Sequence, residues 1–204
     1  SPIGDVLFYK KMEYPEFSTF PRDLVLTTNG DILVTGYARK NADLSFFTSF
    51  LHKINPNGDA IYQKTFNTNS DGKVEYSLSI LPLENGGYAI GGLIKNIAQF
   101  SVLHPPHPRV FITFLDENEN YISSKSYNHD AYPQHPSLQL KSKESGDYNL
   151  AFTTFVSDDP YQWGTTLIQL DENFGSGCNE ADITDEIFLE EEEGWSLIDL
   201  PANP

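Results

Sequence analysis

The chain has 204 residues, of which 39% are hydrophobic, and its formal net charge is -16. Residues 1–143 hold all 13 Lys and Arg against 14 acids, whereas residues 144–204 hold 15 acids and no Lys or Arg. Nucleic-acid binding is not expected, because contacts with phosphates need a basic surface. Membrane insertion is not expected either, because no stretch approaches 18 consecutive apolar residues.

The first residues match a later part of the chain. PIGDVLFYKKM at residues 2–12 aligns with PNGDAIYQKTF at residues 56–66. Both segments indicate a glycine-containing turn followed by a β-strand, because aromatic and branched residues dominate them after the turn. Residues 1–14 are therefore predicted to be the last strand of a preceding blade.

A first type of hairpin occurs three times. Its copies are LVLTTNGDILVTGYA from residue 24, LSILPLENGGYAIGGLI from residue 78 and LQLKSKESGDYNLAFTT from residue 138. The turn glycines are Gly30, Gly86 and Gly146, at intervals of 56 and 60 residues. Asn-Gly between apolar runs is typical of a β-hairpin, and both residues of such a turn are predicted to have positive φ.

A second type of hairpin follows each copy, at residues 46–66, 109–127 and 165–183. Two hairpins make a four-stranded meander, so the predicted fold is all-β, with consecutive four-stranded antiparallel blades of a β-propeller, incomplete in this chain. The predicted blades are residues 15–67, 68–128 and 129–180. The last is a terminal blade, since its expected fourth strand is replaced by a Gly-rich and then acidic sequence.

Residues 181–204 form an acidic C-terminal tail or a docking segment. Residues 182–193 are predicted to form a short amphipathic helix, with Asp182 or Thr184 as its N-cap. The tail carries many apolar residues among its acids, so it either docks back onto the propeller or binds a partner. Phe188, Trp195 and Leu197 are the candidate partner-binding residues.

A ligand-binding loop is predicted at residues 157–164, where Asp158, Asp159, Tyr161 and Trp163 combine carboxylates with aromatic rings. Aromatic faces and carboxylates together can hold a sugar ring. The alternative is an aromatic cap over the edge of the blade. No catalytic residues are assigned, because the sequence contains none of the common nucleophile, phosphate-binding or zinc-protease motifs.

Metal binding has two weak candidates. His104 and His107 lie in the longest connection and could bind a metal with His129 or His135, although a zinc site needs three or four ligands. The alternative is a rigid polyproline-like loop. Residues 116–120 and 171–173 contain fragments of calcium loops, so no cofactor is expected beyond weak calcium binding.

The segments NGDILVTGY, NGGYAIGG and KINPNGDAIYQKTF resemble the repeats of secreted or surface β-propeller-type proteins of Bacteroidota. The resemblance covers residues 1 to about 180, and LDENFGSGCNE is similar to the way such arrays end before a type IX sorting domain. It implies an extracytoplasmic protein, secreted or at the cell surface. The sequence departs from the family at Tyr9, Tyr62 and Ser124, where tryptophan is common, and it lacks the sorting domain.

These observations predict a non-enzymatic interaction or scaffold module that displays rim loops to a protein or glycan partner. Its other partners are the remaining blades of the propeller or another protein chain. One alternative is a fragment or subunit of a cell-surface or secretion-associated assembly that pairs through blade edges. A second alternative is the non-catalytic part of a glycan-active enzyme.

Overall fold

The computed structural model describes residues 10–42, 47–68, 73–96, 109–127, 138–143, 146–155, 163–177, 180–183, 187–191, 193 and 196–199. The fold is all-β: fifteen strands form in this part of the chain, and none of its residues lies in a helix. Accordingly, no helix among these residues is long and apolar enough to cross a membrane.

Four antiparallel sheets contain all of these strands. Sheet 1 is built on the meander of β2 (Phe17–Leu26), β3 (Ile32–Lys40), β4 (Phe47–Ile54) and β5 (Ala60–Thr68). Sheet 2 is built on the meander of β6 (Lys73–Pro82), β7 (Tyr88–Asn96), β8 (Arg109–Leu115) and β9 (Tyr121–Tyr127). Sheet 3 has three described strands, β10 (Leu138–Ser142), β11 (Tyr148–Phe155) and β12 (Trp163–Leu170).

The remaining strands are short and come from the two ends of the described chain. They are β1 (Lys10–Glu13), β13 (Glu180–Asp182), β14 (Ile187–Glu191) and β15 (Ser196–Asp199). β13 extends sheet 2 beyond β9, and β14 extends sheet 1 beyond β5. β1 and β15 form a two-stranded sheet of their own.

Six tight turns share one pattern of backbone hydrogen bonds. The amide of the fourth residue donates to the carbonyl of the first, and the amide of the first donates to the carbonyl of the fifth. The fourth residues have positive φ, in degrees: Gly30 (84), Gly58 (88), Gly86 (87), Glu119 (57), Gly146 (87) and Phe174 (58). This is a type I turn followed by one left-handed residue.

The predicted conformation of the Asn-Gly turns is therefore wrong. Asn29 and Asn85 do not have positive φ, and only the glycine after each of them does. The reason is the length of the loop, because a three-residue hairpin loop built on a type I turn needs a single left-handed residue. The two-residue Asn-Gly loop predicted from the sequence would need two left-handed residues.

The core lies where the faces of successive sheets pack together. Between sheets 1 and 2 the buried side chains include Leu51, Phe66, Ile80 and Phe111. A larger cluster joins sheets 2 and 3, and Leu93, Ile112, Leu140 and Leu150 are among its members. The opposite face of sheet 1 holds a smaller cluster that includes Phe50, against which Met12 of β1 and Leu197 of β15 pack. Burial of these faces drives the sheets together.

A lysine on the outer strand of one sheet reaches a turn of the next sheet. Lys64 lies six residues after Gly58, and its Nζ donates to the carbonyl oxygen of Glu119 at 3.2 Å. Lys125 lies six residues after Glu119, and its Nζ donates to the carbonyl oxygen of Asn173 at 3.0 Å. The two lysines thus occupy corresponding positions, and each reaches the turn of the following sheet: Glu119 is the fourth residue of its turn and Asn173 is the third residue of its turn.

The last three strands, β13, β14 and β15, form what we call the strap. Along the chain they pair in turn with β9, β5 and β1, so the strap runs backwards past the outer edges of the sheets. Each pairing places an acid opposite a lysine, and these Cα partners are Asp182 with Lys125, Glu191 with Lys64 and Asp199 with Lys10.

The predicted helix at residues 182–193 is therefore wrong. Among its described residues, Asp182 ends β13 and Ile187–Glu191 form β14, and none lies in a helix. The outer edges of β5 and β9 offer rows of backbone hydrogen-bonding groups, and a short segment that reaches them gains a complete set of partners. An isolated helix of this length is marginal in water, so pairing with the edges prevails.

Replacing Ile183 with alanine is expected to lower the free energy of unfolding by about 2 kcal/mol. This is the low end of the range for a buried isoleucine, because the short strand before Ile183 can move to fill part of the cavity. Ile183 directly follows β13, is buried between the strap and sheets 1 and 2, and donates its amide to the carbonyl of Ser124 at 2.9 Å. Urea unfolding of both variants measures the difference. Ile198→Ala is the control, because Ile198 of the same strap is 40% exposed. An equal loss in the two variants would contradict docking of the strap.

Candidate functional site

A cleft opens where the first strands of sheets 1, 2 and 3 come together. Its volume is about 380 Å³, within the range of small-molecule sites. The lining residues are Arg22, Asp23, Leu78, Ser79, Leu138, Gln139, Lys141, Ala151, Phe152 and Thr165. The cleft therefore combines an apolar wall with several hydrogen-bonding groups.

The floor of the cleft is held by hydrogen bonds between successive first strands. Asp23 Oδ2 accepts from the amide of Ile80 at 3.0 Å and from Ser79 Oγ at 3.0 Å. Ser79 Oγ in turn accepts from the amide of Leu140 at 3.2 Å. Asp23 and Ser79 lie seven residues before Gly30 and Gly86, at the bulges of β2 and β6. A bulge turns a side chain out of the regular pattern, which lets each one reach the next sheet.

Arg22 stands at the mouth of the cleft on an aromatic support. One guanidinium nitrogen donates to the hydroxyl of Tyr37 at 2.7 Å, and the guanidinium carbon lies 5.0 Å from the centre of that ring. Tyr37 is buried and stacks with Phe20 at 4.9 Å between ring centres. Because Tyr37 is itself buried and packed against Phe20, Arg22 is held in place although it is exposed.

A second polar cluster lies between sheets 1 and 2 at the turn end. Lys53 Nζ lies 2.9 Å from a carboxylate oxygen of Glu119 and 3.6 Å from one of Asp31. Burial acts to lower the pKa of Lys53, but hydrogen bonding and charge pairing with Glu119 and Asp31 outweigh it and raise this pKa. The carboxylates are thus bound to a cation of the protein itself, so the cluster acts as a structural link between the sheets.

Most predicted site residues lie outside the described part of the chain. These are the predicted metal ligands His104 and His107, the predicted sugar-binding residues Asp158, Asp159 and Tyr161, and Trp195 of the tail. Trp163 is the first residue of β12 and pairs with Phe155, the last residue of β11. This pair lies at the end of sheet 3 that is remote from the Gly146 turn. The predicted loop therefore leaves the sheet at the opposite end from the tight turns.

The two other predicted partner-binding residues belong to the strap. Phe188 lies in β14 opposite Asn67, and Leu197 lies in β15 opposite Met12. Leu197 is partly buried against the cluster on the outer face of sheet 1. Both residues are therefore in strands that pair within the chain, and their role towards a partner stays a prediction.

The predicted calcium fragments contribute to their own turns. Asp116 Oδ1 accepts from the amides of Asn118 and Asn120, and its Oδ2 accepts from the side chain of Asn120 at 3.0 Å. Hydrogen bonds from Asn120 lower the pKa of the Asp116 carboxyl. Asp171 Oδ1 accepts in the same way from Asn173 and Gly175. Within the described residues, no three His, Cys, Asp or Glu side chains are grouped as metal ligands.

The cleft contains no sequence motif that predicts it, although the sequence carries a weaker signal for it. Arg22 lies eight residues before Gly30, where the two later hairpins have Leu78 and Leu138. Two departures from the pattern, at Arg22 and Lys141, mark the positively charged residues of the cleft. No protein-family model matches the chain, and no curated protein sequence matches it.

Proposed function

We propose that this chain is a non-enzymatic interaction module made of consecutive β-propeller blades in an extracytoplasmic bacterial protein. It presents the connections at one end of the blades to a protein or a glycan. Secretion or display at the cell surface agrees with the resemblance of the sequence to Bacteroidota repeat proteins. Type IX secretion of the parent protein is part of the same proposal.

The observation that carries the proposal is the correspondence of the contacts between sheets. The pairs Asp23–Ile80 and Ser79–Leu140 use the same positions counted from the turn glycine. Lys64 and Lys125 also stand at corresponding positions, and each donates to a carbonyl in the turn of the following sheet. Repeated contacts of this kind hold each unit rigidly on its neighbour. A rigid array keeps variable connections in fixed positions, which favours binding because little ordering is needed.

The outer faces of the array support further units as partners. Leu24, six residues before Gly30, is 58% exposed, whereas Ile80 at the corresponding position of sheet 2 is 3% exposed. Leu167 of sheet 3 is 65% exposed, whereas the corresponding Ile112 of sheet 2 is fully buried. A blade of the same kind packed on each outer face would bury both leucines, as expected for part of a larger propeller.

The proposal is tested by measuring binding of the full chain to an array of bacterial polysaccharides and surface proteins. Replacing Asp158, Tyr161 and Trp163 together with alanine should weaken the strongest interaction at least tenfold, because contact aromatic residues dominate such interfaces. The control is Glu117→Ala, an exposed residue in a tight turn at the other end. Turnover of a polysaccharide, or equal binding by both variants, would contradict the proposal.

A second candidate is pairing of a sheet edge with another chain. Among the described strands, β5 and β9 carry β14 and β13 on their outer sides, while β12 is paired on one side only. An open edge with an exposed Leu167 is suited to accept a strand. Native mass spectrometry of the same material separates the candidates, because edge pairing predicts a species heavier than 23.0 kDa that survives the triple substitution.

A further inference from the structure

We propose that the cleft between the first strands binds a carboxylate-bearing ligand through Arg22 and Lys141. The inference rests on the proposed function, because it names the ligand chemistry of one surface of the binding module. Two sources of the carboxylate fit: the uronic acid of an oligosaccharide, and a small free organic acid. Both present the same planar anion to the cleft.

The two cations stand where the neighbouring hairpins have apolar residues. Arg22 corresponds to Leu78 and Leu138, eight residues before the turn glycine. Lys141 lies five residues before Gly146, where the other hairpins have Val25 and Leu81. Packing between sheets therefore does not require the charge of Arg22 or of Lys141, since the other hairpins have apolar residues at the same positions. Both departures nevertheless line one cleft.

The guanidinium group of Arg22 is preorganised to bind a planar anion. It uses one of its five N–H donors on the Tyr37 hydroxyl, in the only side-chain hydrogen bond it makes with the described residues. A guanidinium fork matches the two oxygens of a carboxylate, and an exposed arginine held on an aromatic ring loses little freedom on binding. The Arg22–Tyr37 contact thus orients the group that would receive the ligand.

The charges that line the cleft leave an excess of one cation. Arg22 and Lys141 are positive, and Asp23 is the one acid among the lining residues. Both oxygens of Asp23 are engaged: Oδ1 accepts from the amide of Leu24 at 2.9 Å, and Oδ2 accepts from Ser79 and Ile80. Asp23 is thus committed to the contact between sheets, so one added carboxylate would balance the cleft.

The walls fit a ligand with both polar and apolar surface. Leu138 and Phe152 provide an apolar side, and Gln139, Thr165 and Ser79 provide hydrogen-bonding groups. Sugar rings and short organic acids have this mixture of surfaces, and a volume of about 380 Å³ accommodates one or two rings. The cleft is thus suited to the group that carries the carboxylate as well as to the carboxylate itself.

The test is a calorimetric titration of the full chain with trigalacturonate, with citrate and with neutral trigalactose, at low salt. Arg22→Leu and Lys141→Leu are the test variants, because leucine occurs at the corresponding positions of other hairpins. Lys143→Leu is the matched control, because it removes the same charge two residues further along and corresponds to Leu83. Thermal unfolding of each variant verifies that it is folded.

We expect the full chain to bind a carboxylate probe and not to bind trigalactose. Each test variant should weaken this binding at least tenfold, and the control variant should leave it unchanged. Preference for trigalacturonate identifies a uronic acid, and preference for citrate identifies a free acid. Absence of binding by both acids, or equal binding by folded Arg22→Leu, would overturn the proposal. The interaction module would survive that result, since its own test uses the loop at residues 157–164.

Discussion

Gly92→Ala is expected to lower the free energy of unfolding by about 3 kcal/mol or more, the upper part of the range for overpacked cores. A Cβ at this position would overlap the backbone carbonyl of Tyr76 and would lie 2.5 Å from the ring of Phe111. Both neighbours are fixed, because Tyr76 belongs to the paired strand β6 and the Phe111 ring is fully buried. The strain therefore cannot be relieved by the movement of a surface side chain.

The same arrangement occurs in sheet 1 and is reversed in sheet 3. Gly36 faces Phe50 across β3 and β4, as Gly92 faces Phe111 across β7 and β8. At the corresponding pair of sheet 3, Phe152 faces Thr166. In sheets 1 and 2 the phenylalanine is on the later strand of the pair, and in sheet 3 it is on the earlier strand. Its partner is a smaller residue in each case, so the packed volume of the pair stays similar.

The loss is measured by urea unfolding, with Gly146→Ala as the control. An added Cβ at Gly146 would meet no atom within 4 Å, but its φ of 87° disfavours alanine. The control therefore isolates the backbone cost of about 1 kcal/mol. A loss for Gly92→Ala no larger than that of the control would show that the backbones of β6 and β7 are further apart than the close approach of Gly92 to Tyr76 requires.

Local signals in the sequence were sufficient to predict the strands and the tight turns. Alternating apolar residues on either side of Asn85-Gly86 predict a hairpin whatever surrounds it, because the signal is contained in adjacent residues. The predicted conformation of its turn was wrong, since loops of two and of three residues differ by the register of the flanking strands. Register is set by packing against another sheet, as at the Ile80 position of β6.

The strap could not be predicted from local signals. Residues 187–191 form a strand because the edge of β5 lies beside them, and that edge is far away in the sequence. The acid-rich composition alone indicates a solvated segment or a helix. Lys64 and Lys125 both face an acid of the strap, and both lie six residues after the left-handed residue of a turn. This regularity is recognisable only when positions are counted from the turns.

The candidate site depends on a comparison between hairpins. Complete sequence motifs point to loops with histidines, aromatic residues or paired acids. Arg22 and Lys141 belong to no motif, and they stand out only against the leucines and valine at corresponding positions. Their presence in one cleft follows from the packing of three first strands, which no single hairpin encodes.

Acidification from pH 7.5 to pH 5 is expected to remove about 2 kcal/mol of stability through His52 alone. His52 is 1% exposed, and its ring centre lies 4.7 Å from that of Phe50. Burial lowers the pKa of His52 to about 3, because the imidazolium form would lose its hydration. The unfolded chain, in contrast, binds this proton near pH 6.5.

The sign follows from the number of protons bound by each state. Between about pH 3 and pH 6.5, the unfolded chain holds a proton on His52 that the folded chain does not, so stability rises with pH across this window. The contribution of His52 is complete above pH 6.5 and is lost progressively as the pH falls towards 3. Acids with ordinary pKa values titrate mainly below pH 5, so the interval from pH 7.5 to pH 5 reports chiefly on histidines.

His52→Thr isolates this contribution from that of the other four histidines. Threonine is chosen because Thr113 occupies the corresponding position of sheet 2, six residues before the left-handed turn residue. Urea unfolding of both proteins at pH 7.5, 6 and 5 gives two slopes of stability against pH. The variant should have a lower stability at pH 7.5 but a flatter slope, and the difference in slope should account for about 2 kcal/mol at pH 5. Parallel slopes would mean that His52 accepts a proton in the folded protein, and the imidazole would then have to be less buried than its 1% exposure indicates.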